Sequence, residues 1–115
     1  MPVVPAAAEA ITLHTDLLEA SERIYHRHVA VIQQVFCDQY LKVLRQHIAG
    51  ARLGYPDVDP ALLESWAREG LRAYRAELRR KQGELIAHER RRREERDRGI
   101  RAYISSRATH PLPAA

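Results

Sequence analysis

The amino-acid sequence predicts an all-α protein built as a long antiparallel helical hairpin, which assembles further into a multi-helix bundle. Alanine and arginine are abundant and runs of β-branched residues are absent, a composition that favours helix over strand. Apolar side chains recur at three- and four-residue spacing along two long stretches, which is the period of a helix. One segment with glycines and prolines separates the two stretches and supplies the turn of the hairpin.

The 115 residues are enough for one small domain. We predict a single helical domain over residues 6–104, and one continuous first helix is preferred to a break near Thr12–Asp16. The predicted order is an extended lead-in (1–5), a helix (about 6–49), a loop (50–59), a helix (about 60–98), a short turn (100–104) and a flexible tail (105–115).

The loop has the strongest boundary signals in the chain. Gly50 and Gly54 are suited to left-handed C-cap conformations, and Pro56 cannot continue a helix. Asp59 is a typical N-cap residue, and Pro60 suits the first helical position. The second helix is therefore expected to start at Pro60. A further glycine, Gly99, is the expected C-cap at its far end.

The middle of the first helix is apolar on nearly its whole circumference. Its apolar face is extended on one side by Val31 and Val35, and on the other side by Cys37, Leu41, Leu44 and Ile48. A helix of this kind has to be covered on several sides, which one partner helix does not achieve. We therefore predict self-association or docking into a larger assembly. The predicted oligomer or partner interface consists of Val29, Ile32, Phe36, Tyr40, Val43 and Leu44.

Charge is unevenly distributed along the chain, whose formal net charge is +4. Residues 1–67 carry five basic and eight acidic side chains, a net charge of −3, whereas residues 68–115 carry fourteen basic and seven acidic side chains, a net charge of +7. This asymmetry indicates a polyanionic partner, or acidic and basic regions that pair within one hairpin or between copies.

Six arginines of the second helix are predicted to form a basic ridge. The first four recur at steps of four, three and four residues, which places them on one helical face, and an unbroken helix adds two more. The ridge consists of Arg68, Arg72, Arg75, Arg79, Arg90 and Arg93. Such a ridge can follow a phosphate backbone, each contact adding salt-dependent affinity. The alternatives are an acidic protein partner, plain solvation, or pairing with acids of the same assembly such as Glu9, Asp16 and Glu19.

The segment HERRRREERDRG, residues 88–99, holds six arginines and four acids, so that its net charge is only +2. Its charges are spaced to pair along the helix at i,i+4, as in Glu89–Arg93 and Arg90–Glu94. The apolar pattern stops after Ile86. We therefore interpret this segment as a solvated, self-stabilised helical extension.

The sequence contains no catalytic or metal-binding motif. The lone cysteine, Cys37, excludes an intrachain disulfide, and its place on an apolar helix predicts a buried thiol that acts as a small hydrophobe. His26 and His28 are two residues apart on different helical faces, a poor spacing for one metal ion. We predict no catalytic residue, no metal, no cofactor and no small-molecule substrate.

The leading hypothesis is a non-enzymatic helical interaction module, a subunit of a larger complex, whose basic ridge contacts a nucleic-acid backbone or an acidic partner. Its expected partners are further copies or other protein subunits, and DNA or RNA. The alternative is a structural, assembly or adaptor protein, such as a scaffold or a component of a phage or secretion particle, that acts through the first helix; a small dimeric helical enzyme is the third hypothesis. A cytoplasmic location without membrane contact is expected, because no signal peptide and no apolar run of about 18 residues is present.

Overall fold

The described residues form a hairpin of three α-helices. The computed structural model describes the backbone of residues 5–109 and the side chains of Glu9 and residues 11–107. The helices are α1 (Pro5–Gly54), α2 (Pro60–Gly70) and α3 (Arg72–Thr109), and no strand occurs in the described part of the chain. The predicted all-α antiparallel hairpin is confirmed, whereas its assembly into a bundle stays a prediction. Residues 1–4 and 110–115, which hold most of the predicted lead-in and half of the predicted tail, lie outside the described residues.

The first helix is continuous from Pro5 to Gly54, so the alternative break near Thr12–Asp16 does not occur. The predicted end at residue 49 is wrong, because Gly50 lies inside the helix and no described glycine has a positive φ. A single helical glycine costs only about 1 kcal/mol relative to alanine, and the helix former Ala51 follows it. The Tyr55 N–H still donates to the Ala51 carbonyl at 2.8 Å. The helix ends before Pro56, because proline has no backbone N–H to donate to a helical hydrogen bond.

The start of α2 is the predicted one. The Asp59 carboxylate accepts a hydrogen bond from the Ala61 N–H at 3.0 Å, and Pro60 occupies the first helical turn. The Asp59 carbonyl accepts hydrogen bonds from the N–H groups of Leu62 and Leu63 at 3.0 and 3.1 Å. Asp59 therefore satisfies backbone donors that would otherwise lack partners at a helix N-terminus.

The predicted second helix is interrupted once, at Leu71, which separates α2 from α3. Leu71 has φ −96° and ψ 8°, in the sparsely populated region between the helical and extended conformations. Its N–H donates to Ala67 at 3.0 Å and its carbonyl accepts from the Arg75 N–H at 2.8 Å, so four-residue spacing persists across the break. Gly70 precedes the break and is a weak helix former.

The end of α3 differs from the prediction. The helix continues through Gly99 to Thr109, so the expected C-cap at residue 99 is wrong, and residues 105–109 are helical where a flexible tail was expected. Ile100 and Ile104 are half-buried, and burial of apolar side chains is the main source of helix stability in proteins. These two residues therefore explain why the helix does not end at the glycine.

The contacts of the hairpin divide it into two units. Unit 1 falls within Met1–Val29 and Ala87–Ala115, and unit 2 is Ala30–Ile86. Unit 2 holds the apolar core, in which Leu44 of α1 packs with Ala67 of α2 and with Leu71 at the break. Leu63 of α2 is the most deeply buried large side chain, at 1% exposure. The residues that pack around the cluster are Tyr40, Leu41, Val43, Ile48 and Tyr74.

Unit 1 is joined by polar contacts between α1 and α3. Ser21 and Glu89 are buried, and His28 Nδ1 lies 2.9 Å from Glu89 Oε2. The guanidinium of Arg96 donates to the Ser21 hydroxyl and carbonyl, both at 3.4 Å. The interpretation of residues 88–99 as a solvated extension is therefore wrong at these positions, because one side of the segment packs against α1.

Candidate anion-binding surface

The first four predicted ridge residues are exposed in unit 2. Arg68 lies in α2, and the other three lie in the first two turns of α3. The helical spacing of Arg72, Arg75 and Arg79 places them on one side of α3. Arg68 precedes the irregular residue Leu71, so the ridge is built from two helices and not from one.

Two of these arginines form local ion pairs. Arg68 donates to Glu64 Oε1 from Nε at 3.2 Å and from Nη2 at 2.9 Å, and this carboxylate raises the pKa of Arg68 above its ordinary value. Arg72 lies 3.7 Å from Glu69, and both side chains are about four-fifths exposed. Exposed pairs of this kind contribute little free energy, so an anionic partner displaces them at small cost.

Arg75 and Arg79 have no acidic side chain within ion-pair distance among the described residues. The guanidinium carbon of Arg75 lies 5.5 Å from the centre of the Tyr40 ring, and this cation–π contact leaves the guanidinium N–H donors available. Both arginines are exposed. We call the pair the arginine rim, because both residues border a cleft.

The cleft lies between α1 and α3 of unit 2 and has a volume of about 360 Å³. We call its half-buried apolar lining residues Phe36 and Leu78 the cleft floor, and amide and guanidinium groups also line the cleft. Its lining residues are Gln33, Phe36, Cys37, Tyr40, Arg75, Leu78, Arg79 and Gln82. A cleft lined by both apolar side chains and paired cations suits a ligand that carries both an anionic and an apolar group.

Sequence reasoning missed the cleft because it placed Cys37 in the core, whereas the thiol is exposed. Gln33 and Gln82 were not predicted as site residues either, since neither belongs to a motif. One pattern in the sequence does indicate the cleft. Arg75, Arg79 and Gln82 recur at helical spacing, on the side of α3 next to its apolar residues Tyr74 and Leu78.

The other two predicted ridge residues lie in unit 1 and differ from each other. Arg90 is exposed on α3. Arg93 is half-buried, with its guanidinium carbon 5.3 Å from the centre of the Tyr25 ring and its Nε 3.6 Å from Asp97. Arg93 therefore makes contacts inside unit 1, and its role as an anion contact stays a prediction.

The predicted interface on α1 is largely covered by the chain itself. Leu44 is buried in the core of unit 2, and Tyr40 and Val43 pack against that core. The other three residues, Val29, Ile32 and Phe36, are half-buried. The exposed large apolar side chains of α1 in unit 2 are instead Val31, Val35 and Leu53, at 56%, 57% and 87% exposure.

Arg80 offers an internal comparison for the rim, because it lies on another side of α3. It is held between Glu77 and Glu84, one helical turn away in each direction. The two carboxylates raise the pKa of Arg80, and Arg80 lowers the pKa of Glu77. An arginine with two acidic neighbours is a weaker attractor for an external anion than the arginine rim.

The comparisons with known proteins assign no family. No protein-family model matches the chain, and the searches of curated proteins and of solved structures return no significant match. The described residues contain no group of three or more His, Cys, Asp or Glu side chains arranged to hold a metal ion. Nor does any helix of that part of the chain combine the length and the apolar character needed to cross a membrane.

Proposed function

We propose that the protein is a non-enzymatic helical interaction module, a subunit of a larger complex, whose arginines in unit 2 bind the phosphate backbone of a nucleic acid. The observation that carries the proposal is the arginine rim, two exposed guanidiniums one turn apart without an acidic neighbour among the described residues. Arg68 and Arg72 supply two further cations whose local pairs are exposed and weak. Contacts of this kind carry little sequence preference.

Fluorescence anisotropy with labelled DNA and RNA duplexes at about 50 mM and about 200 mM salt tests the proposal, because each phosphate contact contributes about −0.9 to the slope of log K against log salt. The variant Arg75→Gln/Arg79→Gln is expected to bind more weakly and to make that negative slope less steep by about 1.8. Arg80→Gln is the matched control on the same helix and is expected to leave the slope unchanged. Absence of binding at the lower salt concentration contradicts the proposal.

A second candidate is an assembly or adaptor role through the apolar surface of α1. It is supported by Val31 and Val35, which lie one turn apart and are more than half exposed. Burial of such side chains in an interface is favourable at about 25 cal/mol per Å² of apolar surface. Light scattering on Val31→Ser/Val35→Ser tests it, since loss of a complex that persists at high salt is the expected result and an unchanged mass contradicts it.

A further inference from the structure

We infer that the cleft of unit 2 binds the acidic stretch of α1, residues 9–22, from a second copy of this chain. Carboxylates of the stretch contact the arginine rim, and an apolar side chain of the stretch covers the cleft floor. The inference goes beyond the proposed function and shares with it only one premise, that the arginine rim is an anion-binding surface. It differs in naming a protein partner for that surface.

The acidic stretch carries carboxylates that have no strong partner among the described residues. Residues 9–22 contain four acids and no lysine or arginine. Glu22 lies 3.4 Å from His26 of the next turn. The other three acids are exposed, and none has a basic side chain within ion-pair distance in the described part of the chain. The three are Glu9, Asp16 and Glu19.

The spacing of the carboxylates in the acidic stretch is similar to the spacing of the guanidiniums in the arginine rim. Asp16 and Glu19 are three residues apart in α1, a rise of about 4.5 Å, and Arg75 and Arg79 are four residues apart in α3, a rise of about 6 Å. Pairs at either spacing stand on the same side of a helix, one turn apart. Two carboxylates of one copy can therefore meet two guanidiniums of the other, and guanidinium–carboxylate pairs are often bidentate.

The apolar groups of the acidic stretch and of the cleft also correspond, which a protein partner can use in addition to the charges. Leu13 lies one turn before Asp16 and is 38% exposed, while Phe36 and Leu78, the cleft floor, line the same cleft as the arginine rim. A helix that places carboxylates on the rim brings a leucine to this floor. A phosphate backbone satisfies the guanidiniums but has no apolar group for Phe36 and Leu78.

Charge reversal in the full-length chain tests the inference. Sedimentation or light scattering is expected to show self-association at about 0.1 M salt that weakens at about 1 M salt, where the Debye length falls from about 10 Å to about 3 Å. Asp16→Arg/Glu19→Arg and Arg75→Glu/Arg79→Glu each place like charges together and are expected to weaken association about tenfold or more. The variant that combines all four substitutions restores opposite charges, and association is expected to return.

The matched control is Arg98→Glu/Arg101→Glu, which makes the same charge change at two exposed positions of α3 and is expected to associate normally. Circular dichroism confirms that each variant is helical. A monomer at 0.1 M salt, or failure of the combined variant to associate, overturns the inference.

These outcomes separate the inference from the proposed function. A monomer whose duplex binding depends on Arg75 and Arg79 overturns the inference and leaves the proposed function standing. Rescue by the combined variant in a chain that binds no duplex supports the inference and contradicts the nucleic-acid role. Association that is unchanged by the reversals but lost in Val31→Ser/Val35→Ser assigns the interface to α1 and also overturns the inference.

Discussion

His28 Nδ1 and Glu89 Oε2 lie 2.9 Å apart, although 61 residues separate them in the sequence. The pair joins α1 to α3 in unit 1, and the Glu89 side chain is 11% exposed. The hydrogen bond from His28 lowers the pKa of Glu89 below its ordinary value, and the charges of His28, Arg92 and His88 act in the same direction. Because a polar pair of this kind is satisfied in only one alignment of the two helices, it specifies their register as well as stabilising them.

The Glu89→Gln variant is expected to lower the free energy of unfolding by about 1 kcal/mol at neutral pH. A carboxyl group with a lowered folded-state pKa stabilises the fold above its unfolded-state pKa, and this contribution is lost as the pH falls through the folded-state value. The difference between wild type and variant should therefore shrink below the ordinary carboxyl pKa of 4.5. Urea unfolding followed by circular dichroism at neutral and acidic pH measures it.

Glu94→Gln is the control, since Glu94 is exposed on the same helix; it should unfold like the wild type at either pH. An equal loss of stability at neutral and acidic pH in Glu89→Gln would contradict a role for the ionised carboxylate.

The helical hairpin was predictable from sequence, but the way in which unit 1 packs was not. Apolar periodicity ends after Ile86, so the pattern indicated that packing ends there too. The three- to four-residue spacing in fact continues with polar side chains, at Glu89, Arg93 and Arg96. Helical periodicity is recognised from apolar residues. A contact between helices that is made by ion pairs and aromatic rings is therefore not detected by it.

Leu63→Ala is expected to lower the free energy of unfolding by about 2–5 kcal/mol, because it leaves a cavity at a fully buried site. Leu63 is 1% exposed, whereas the adjacent Leu62 is 44% exposed. Leu62→Ala removes the same atoms and is expected to cost much less. Thermal unfolding of both variants measures the difference, and equal losses would show that α2 does not pack as described.

Asp59→Ala is expected to destabilise the protein by about 1 kcal/mol, since the Asp59 carboxylate accepts the Ala61 N–H at the start of α2. Asn is about as good an N-cap as Asp, so Asp59→Asn should retain most of the stability. Chemical unfolding of the two variants distinguishes the contribution of the N-cap hydrogen bond from that of the negative charge. A similar loss in both variants would indicate that the negative charge matters and the cap does not.

The signals at Asp59 and Pro60 succeeded because they act within a few residues. The helix ends predicted at Gly50 and Gly99 are wrong, because a glycine ends a helix only where the tertiary structure allows the chain to turn. The arginine ridge shows the same limit. Spacing places Arg72, Arg75 and Arg79 on one side of α3, but it does not show the break at Leu71 that leaves Arg68 on α2. The contacts of Arg93 with Tyr25 and Asp97 likewise depend on tertiary structure.

Gly99→Ala tests the helical course of α3 beyond residue 98. Gly99 has a helical backbone without a positive φ, and a Cβ placed there meets no atom within 4 Å. Alanine is therefore expected to stabilise the protein by about 0.5–1 kcal/mol. Gly83→Ala is the reference, because Gly83 also lies within α3 with open space around it. A left-handed cap at Gly99 would instead make alanine cost about 1–2 kcal/mol, so opposite signs for the two variants in thermal unfolding would show that the helix ends at residue 99.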